Sequence, residues 1–106
     1  MGFFDLFKQP DVNQGVAEFR NAPDALLLDV RSPEEYREGH IPGSQNLPLQ
    51  FLDKLSAVVE NKEKELFVYC RSGARSRQAV EILKRMGYSN AYNIGGIAAY
   101  RGEVER

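Results

Sequence analysis

The single cysteine of the chain, Cys70, ends the apolar run LFVYC and is followed at once by RSGARSR. A cysteine attacks other atoms as the thiolate, and nearby positive charge or hydrogen-bond donors lower its pKa from about 8.5. Arg71, Arg75 and Arg77 bring positive charge, and Gly73 gives the backbone the freedom for a tight turn. The pattern indicates an anion-binding, nucleophilic cysteine.

Two predicted elements position this cysteine. LFVYC is typical of a buried strand, and SRQAVEILKRMG has apolar residues at helical spacing. Ligands of open α/β sheets bind outside the carboxyl ends of the strands, where Cys70 stands. The loop between the two elements is expected to direct backbone N–H groups and the positive end of the helix into one hollow. The alternative is a small apolar core cysteine beside solvated arginines, and the combination of features favours function over it.

Strand and helix patterns alternate along the rest of the chain. ALLLDV is an apolar run typical of a central strand buried on both faces. In the segment after it, Ser32 and Glu35 are spaced as a capping box with Pro33 at the first helical position. A shorter helix is predicted behind Asp11, although Gly15 weakens it.

Further elements complete the alternation. We expect a short strand near Gln45 to Leu47, a last strand at NAYNI and a closing helical turn in IAAYRGEVER. A helical stripe is formed by Leu52, Leu55, Val58 and Val59. The order predicts one α/β domain over residues 1–106, with a mostly parallel central sheet and helices on both faces.

The composition limits the classes of function. With 106 residues, 42% hydrophobic and 27% charged, the chain has the composition of an ordinary globular domain. A net charge of -1 argues against nucleic acid as a partner. One cysteine and one histidine cannot fill an ordinary zinc site, so no metal and no cofactor is expected. The lone thiol and the absence of a signal-like start predict the cytoplasm, and no membrane partner is expected. The apolar extension at residues 1–10 is expected to pack on the domain or on a partner.

The spacing within the loop separates two chemistries, attack on phosphorus and attack on sulfur. Cysteine phosphatases have glycine three positions after the cysteine and arginine six positions after it. Gly73 matches this pattern, but Ser76 stands at the sixth position and Arg75 comes one residue early. A shorter ring of amides suits a single sulfur atom better than a phosphate.

Two motifs give the chain a resemblance to the single-domain rhodaneses, which are sulfurtransferases of the thiosulfate type. LLLDVRSPEEYREGHIPGSQNLP resembles the first signature of that family, with Asp29, Arg31 and Asn46 in their usual places. YCRSGARS resembles its active-site loop. The resemblance covers about Val12 to Tyr100 and implies a rhodanese-like three-layer fold.

The resemblance also implies a mechanism. Cys70 would accept the sulfane sulfur of thiosulfate or a similar donor, and the persulfide would pass its sulfur to cyanide, to a thiol or to a protein acceptor. Backbone amides from Arg71 to Arg75 would hold the charged sulfur, and the side chains of Arg71 and Arg75 would hold the donor. The whole predicted anion-binding loop is Arg71, Ser72, Gly73, Ala74, Arg75 and Ser76.

Other polar residues are assigned structural roles. Asp29 and Arg31 are expected to form an ion pair that ties the strand end to a neighbouring loop. His40 is expected to hold its turn through a ring nitrogen, with general-base catalysis as the alternative. Glu34, Glu35 and Glu38 are expected on a solvated helix face.

Two matters stay open at the level of sequence. GGIAAY has Ile97 and Tyr100 where the family often has tryptophan and another aromatic, which leaves the pocket wall and the donor preference undetermined. A non-catalytic module that delivers a persulfide or binds a partner is the alternative function. A cysteine phosphatase or arsenate reductase is disfavoured by the loop spacing.

Overall fold

A computed structural model describes residues 10–106 of the chain. Across these residues four strands form one parallel sheet, in the spatial order β2-β1-β3-β4. The strands are β1 (Leu26–Asp29), β2 (Ser44–Asn46), β3 (Leu66–Cys70) and β4 (Ala91–Gly96). The α-helices are α1 (Val12–Arg20), α2 (Pro33–Glu38) and α3 (Ala74–Arg85), and two 3-10 helices span Leu49–Ala57 and Ile97–Ala99. The predicted α/β architecture is confirmed.

The sheet is covered on both faces, as predicted. The side chains of Leu27 and Leu28 point to opposite faces because successive residues alternate along a strand. Leu28 joins the core cluster under α3, which includes Leu83, and Leu27 joins the cluster under α1, which includes Val16. All five residues of β3 are buried, which places the strand before Cys70 at the centre of the domain.

Helix α1 begins and packs for reasons visible in the sequence. The carboxylate of Asp11 accepts a hydrogen bond from the Asn13 amide at 3.0 Å, which confirms the predicted N-cap. Gly15 is buried, and a Cβ at this position would overlap the side chain of Ile94 on β4. Glycine within a helix costs about 1 kcal/mol relative to alanine. At this position it allows α1 to approach the sheet closely.

Helix α2 follows β1 directly and has the predicted capping box. The Ser32 hydroxyl accepts from the Glu35 amide at 3.2 Å, and the Glu35 carboxylate accepts from the Ser32 amide at 3.0 Å. Pro33 occupies the first turn. This reciprocal cap fixes the helix start at the carboxyl end of β1, on the same edge of the sheet as Cys70.

Three local predictions differ from the structure. In the predicted stripe, Leu52 and Leu55 lie on a 3-10 helix that ends at Ala57, whereas Val58 beyond it is 78% exposed rather than buried. Strand β2 begins at Ser44, one residue earlier than expected. The last segment has a single 3-10 turn and then an extended stretch, in which Glu105 exchanges two backbone hydrogen bonds of 2.8 Å with His40.

The predicted packing of the apolar start concerns residues that, except for Pro10, lie outside the described part of the chain. Within residues 10–106, no helix has both the length and the apolar character needed to cross a bilayer.

Candidate active site

The loop after β3 is a tight turn between the strand and helix α3. Gly73 is the N-cap of α3 and has a φ of 103°, a left-handed conformation that favours glycine. On the other side of the turn, Gly96 of β4 leaves no room for a Cβ, which would overlap the carbonyl of Arg71. The two glycines let the loop fold back over the end of its own strand.

Three hydrogen-bond donors surround the sulfur of Cys70. Its Sγ accepts from the backbone amide of Gly73 at 3.0 Å, from the amide of Ser76 at 3.4 Å and from the Ser76 hydroxyl at 3.5 Å. Cys70 itself is only 1% exposed. The loop therefore encloses the sulfur and directs donors toward it that stabilise a negative charge.

The donors decide the protonation of the thiol. Burial by itself raises the pKa of Cys70. The hydroxyl of Ser76 and the backbone amides of Ser76, Gly73 and Ser72 act in the opposite direction and outweigh burial, so the pKa of Cys70 lies below its ordinary value. Hydrogen bonds to the charged form thus make this cysteine a better nucleophile at neutral pH.

The guanidinium of Arg75 is bound to Glu35. Its Nη1 and Nη2 donate to the two carboxylate oxygens at 2.8 and 3.0 Å, a bidentate ion pair between α3 and α2. Arg75 lowers the pKa of Glu35 to about 2. The prediction that Glu35 lies on a solvated face is wrong, because the carboxylate is half-buried and anchors the loop. The side chain of Arg75 therefore holds the loop in place, and its part in binding a donor stays a prediction.

An open cleft of about 690 Å³ lies beside the loop. Arg71 and Arg77 line it, together with Asn93, Ala98 and Ala99, whereas Cys70 is not part of the lining. Both arginines are exposed. The cleft gives an anion a positively charged approach to the outer side of the loop.

Ile97 and Tyr100, the two positions at which the chain departs from the family pattern, do not line this cleft. Ile97 and Tyr100 pack against the core cluster under α1. Ala98 and Ala99 stand at the cleft instead, because the 3-10 helix at Ile97–Ala99 turns them outward. Small side chains therefore leave this wall open.

The ion pair expected between Asp29 and Arg31 is present and buried. Arg31 Nη2 lies 2.7 Å from Asp29 Oδ2 and also donates to the Gly39 carbonyl at 2.7 Å. Asn46 Nδ2 donates to the backbone carbonyls of Asp29 and Arg31, both at 3.0 Å. The Arg31 bond ties the end of β1 to the turn after α2, and the Asn46 bonds tie it to β2. Together they support the edge of the sheet at which the cysteine lies.

His40 makes local contacts. Its Nδ1 lies 2.9 Å from the carbonyl oxygen of Tyr36, and its ring is stacked on the Tyr36 ring with centroids 3.7 Å apart. Its Nε2 lies 3.8 Å from the carboxylate of Glu105. All three contacts hold the turn after α2 and the C-terminal segment.

Two residues of the site were missed by reasoning from the sequence. The sequence predicts Glu35 only as a helix cap on a solvated face. Asn93 was not singled out at all, although its side chain bonds both to the Ser76 hydroxyl at 2.7 Å and to the Gly73 carbonyl at 3.3 Å. The signal for Asn93 was its place near the carboxyl end of β4, two residues before Gly95, on the same sheet edge as Cys70.

The fold and this loop together define an α/β domain in which a central parallel strand ends on a cysteine and the following loop stabilises its thiolate. The family model for the rhodanese-like domain matches residues 13–103. The chain belongs to the rhodanese-like family.

Named relatives agree with this assignment. The chain is 41% identical over 71 residues to thiosulfate sulfurtransferase PspE of Escherichia coli (strain K12), covering 66% of this chain and 68% of the relative. It is 40% identical over 78 residues to a sulfurtransferase of Allochromatium vinosum, covering 73% of this chain and 72% of the relative. The family is thus one of sulfurtransferases and related modules.

Solved structures agree as well. A rhodanese with anions from E. coli superposes with a TM-score of 0.72 at 35% identity, covering 77% of this chain and 98% of that one. The human single-domain sulfurtransferase TSTD1 gives a TM-score of 0.71 at 29% identity, covering 88% of this chain and 96% of that one. The predicted rhodanese fold is confirmed.

Proposed function

We propose that this protein transfers sulfane sulfur through a persulfide on Cys70. The observation that carries the proposal is the set of donors on Cys70 Sγ, namely the Gly73 amide at 3.0 Å with the Ser76 amide and hydroxyl at 3.4 and 3.5 Å. Such a ring stabilises an anionic sulfur both before the reaction, as thiolate, and after it, as persulfide. The names of the sulfurtransferase relatives support the same reaction class.

The reaction balances in two steps with thiosulfate as donor. The Cys70 thiolate attacks the outer sulfur of thiosulfate, the sulfur–sulfur bond of the donor breaks, and sulfite leaves with the bonding electron pair. Cyanide or a thiolate then attacks the outer sulfur of the persulfide, and Cys70 leaves as thiolate. The cycle needs only donor and acceptor, and it predicts ping-pong kinetics.

The positions of the arginines support different roles for them in donor binding. Arg71 and Arg77 line the cleft beside the loop, whereas the guanidinium of Arg75 is engaged by Glu35. Arg71 and Arg77 would attract the dianionic donor, and Arg75 would keep the loop amides in position. With Arg75 turned to Glu35 and Ser76 at the sixth position, the loop also lacks the phosphate-clamping arginine of a phosphatase.

A second candidate function is delivery of the persulfide to a partner protein. One relative, 35% identical over 80 residues that make up 43% of its length, is named putative sulfur carrier protein YrkF of Bacillus subtilis. A carrier would load sulfur in the same way but would release it to a docked protein. For either candidate we propose the reducing cytoplasm as the compartment, because an activated lone thiolate must stay unoxidised.

Mass spectrometry of the intact protein tests the shared step. Treatment with thiosulfate should add one sulfur atom, located at Cys70, and cyanide should remove it. Cys70→Ser should show no adduct, and Ser89→Ala, a change at an exposed serine far from the loop, should load as the wild type does. No adduct on the wild type, combined with phosphate release from an aryl phosphate, would contradict both candidates.

Steady-state turnover separates the two candidates. An enzyme should produce thiocyanate from thiosulfate and cyanide over many cycles, with parallel lines in double-reciprocal plots. A dedicated carrier should load once and then turn over slowly until its protein acceptor is added.

A further inference from the structure

The hydroxyl of Ser76 has one proton and three acceptors within reach. Its oxygen lies 2.7 Å from Asn93 Oδ1, 3.4 Å from the carbonyl oxygen of Gly95 and 3.5 Å from Cys70 Sγ. A hydroxyl donates one hydrogen bond at a time, and 2.7 Å is the usual distance for O–H···O. The proton therefore lies toward Asn93 while Cys70 is a neutral thiol.

The orientation of the Asn93 amide follows from its other partners. Its Oδ1 also accepts from the backbone amide of Gly95 at 3.0 Å, and its Nδ2 donates to the carbonyl of Gly73 at 3.3 Å. Because the Gly95 amide is a donor and the Gly73 carbonyl is an acceptor, the Asn93 oxygen must face Gly95 and its nitrogen must face Gly73. Ser76 must therefore donate to Asn93 and cannot accept from it.

An irregularity in strand β4 brings Asn93 to this place. The pairing with β3 runs Val68 to Asn93 and then Tyr69 to Gly95, so Ile94 is an extra residue in β4. Gly95 at the bulge has a φ of 106°, and its amide is bound by the Asn93 side chain. The bulge thus holds the Asn93 amide against the first turn of α3.

The hydroxyl can exchange acceptors at small cost. When Cys70 becomes a thiolate or a persulfide anion, a hydrogen bond to the charged sulfur is stronger than one to a neutral amide oxygen. Rotation of the hydroxyl toward the sulfur leaves Asn93 Oδ1 with the Gly95 amide, so no half-buried acceptor loses its last partner. The network accommodates both charge states of Cys70 through one O–H rotation.

We propose that Asn93 is a positioning residue for sulfur transfer: it holds the Ser76 hydroxyl beside the sulfur, takes its hydrogen bond when Cys70 is neutral, and yields it when Cys70 is charged. Its Nδ2 bond to the Gly73 carbonyl fixes the amide plane so that Oδ1 faces the Ser76 hydroxyl. The catalytic meaning of this role rests on the proposed sulfur transfer, whereas the effect on the thiol does not.

The test is the ionisation of Cys70 in the full chain without any sulfur donor. Because Cys70 is the single cysteine, thiolate absorbance and the pH dependence of iodoacetamide alkylation report this residue alone. The variants are Ser76→Ala, Asn93→Ala, the double variant and Asn93→Asp. The control is Asn90→Ala, directly before the start of β4, where the side chain donates to the Glu63 carbonyl.

None of these variants changes the charged groups around the loop, and Asn93→Asp alone adds a charge. Those groups are Arg75 paired with Glu35, Arg31 paired with Asp29, and Arg71 and Arg77 at the cleft.

Ser76→Ala should raise the pKa of Cys70 by about one pH unit, the worth of one hydrogen bond to a charged group. Asn93→Ala should raise it in the same direction, because an unheld serine in a helix turns its hydroxyl to a backbone carbonyl. The double variant should match Ser76→Ala. Asn93→Asp changes the shape least and keeps an oxygen that accepts from the Ser76 hydroxyl and the Gly95 amide, but it loses the Nδ2 donor to the Gly73 carbonyl. Its negative charge holds the Ser76 proton, so the pKa of Cys70 should rise at least as far as in Asn93→Ala.

Two results would overturn the proposal: wild-type thiol ionisation in both Asn93 variants, or a shift from Asn93→Ala that adds in full to that of Ser76→Ala. The second result would mean that Asn93 acts independently of Ser76. Failure of persulfide formation with thiosulfate would remove the proposed function but leave these titrations intact, so the two failures are distinguishable.

Discussion

The ion pair between Glu35 and Arg75 joins helix α2 to the cysteine loop, and Glu35→Gln removes its charge with little change of shape. Glutamine can still accept from the Ser32 amide, so the capping box survives. What it loses is the second oxygen of the bidentate pair with Arg75. Glu34→Gln is the matched control, because Glu34 lies exposed in the same helical turn and carries the same charge.

The magnitude follows from the pKa of Glu35, which the Arg75 pair lowers from 4.5 to about 2. A shift of that size corresponds to roughly 3 kcal/mol of stability. The Arg75 side chain is 37% exposed, so solvent screening reduces the expected loss to roughly 1–2 kcal/mol. Glu34→Gln should cost less than about 0.5 kcal/mol.

Urea denaturation at a series of pH values measures this loss. A carboxylate with a lowered folded-state pKa stabilises the protein above its unfolded pKa, and the contribution disappears as pH falls through the folded value. The wild type should exceed Glu35→Gln in stability at pH 7, and the gap should narrow between pH 4.5 and 2. The reasoning fails if the gap is the same at pH 7 and near pH 2, or if Glu34→Gln and Glu35→Gln have equal midpoints.

Three further substitutions test the packing and the site. Gly15→Ala should destabilise the domain by about 1–3 kcal/mol in denaturant, despite alanine's better helix propensity, because its Cβ overlaps Ile94; a stabilised variant would show that α1 does not pack closely on β4. Tyr69→Phe should cost about 1–3 kcal/mol by calorimetry or urea, since the buried Tyr69 hydroxyl accepts from the Ile41 amide at 3.0 Å; an unchanged midpoint would contradict that bond. Arg77→Ala should raise KM for thiosulfate several-fold at low salt, with kcat little changed and the effect fading at high ionic strength; a salt-independent loss of kcat would assign Arg77 another role.

Much of the fold was predictable because its signals are local. The apolar runs ALLLDV and LFVYC contain the two central strands, and the capping box of Ser32 and Glu35 begins α2 as expected. A continuous apolar run indicates burial on both faces without any knowledge of neighbours. The stripe at Leu52 to Val59 was a weaker signal, because spacing alone does not distinguish a 3-10 helix from an α-helix that would bury Val58.

The sequence by itself determined that Cys70 ends a central strand and is followed by a glycine-containing turn and a helix start, since those features lie within a dozen consecutive residues. Only the tertiary structure decided which side chains serve that turn. Arg75 is 40 positions away from Glu35 and Ser76 is 17 positions away from Asn93, and each pair meets because parallel strands bring their carboxyl ends to one edge of the sheet. Hydrogen bonds over such separations follow from strand order and from the bulge in β4, which no local pattern encodes.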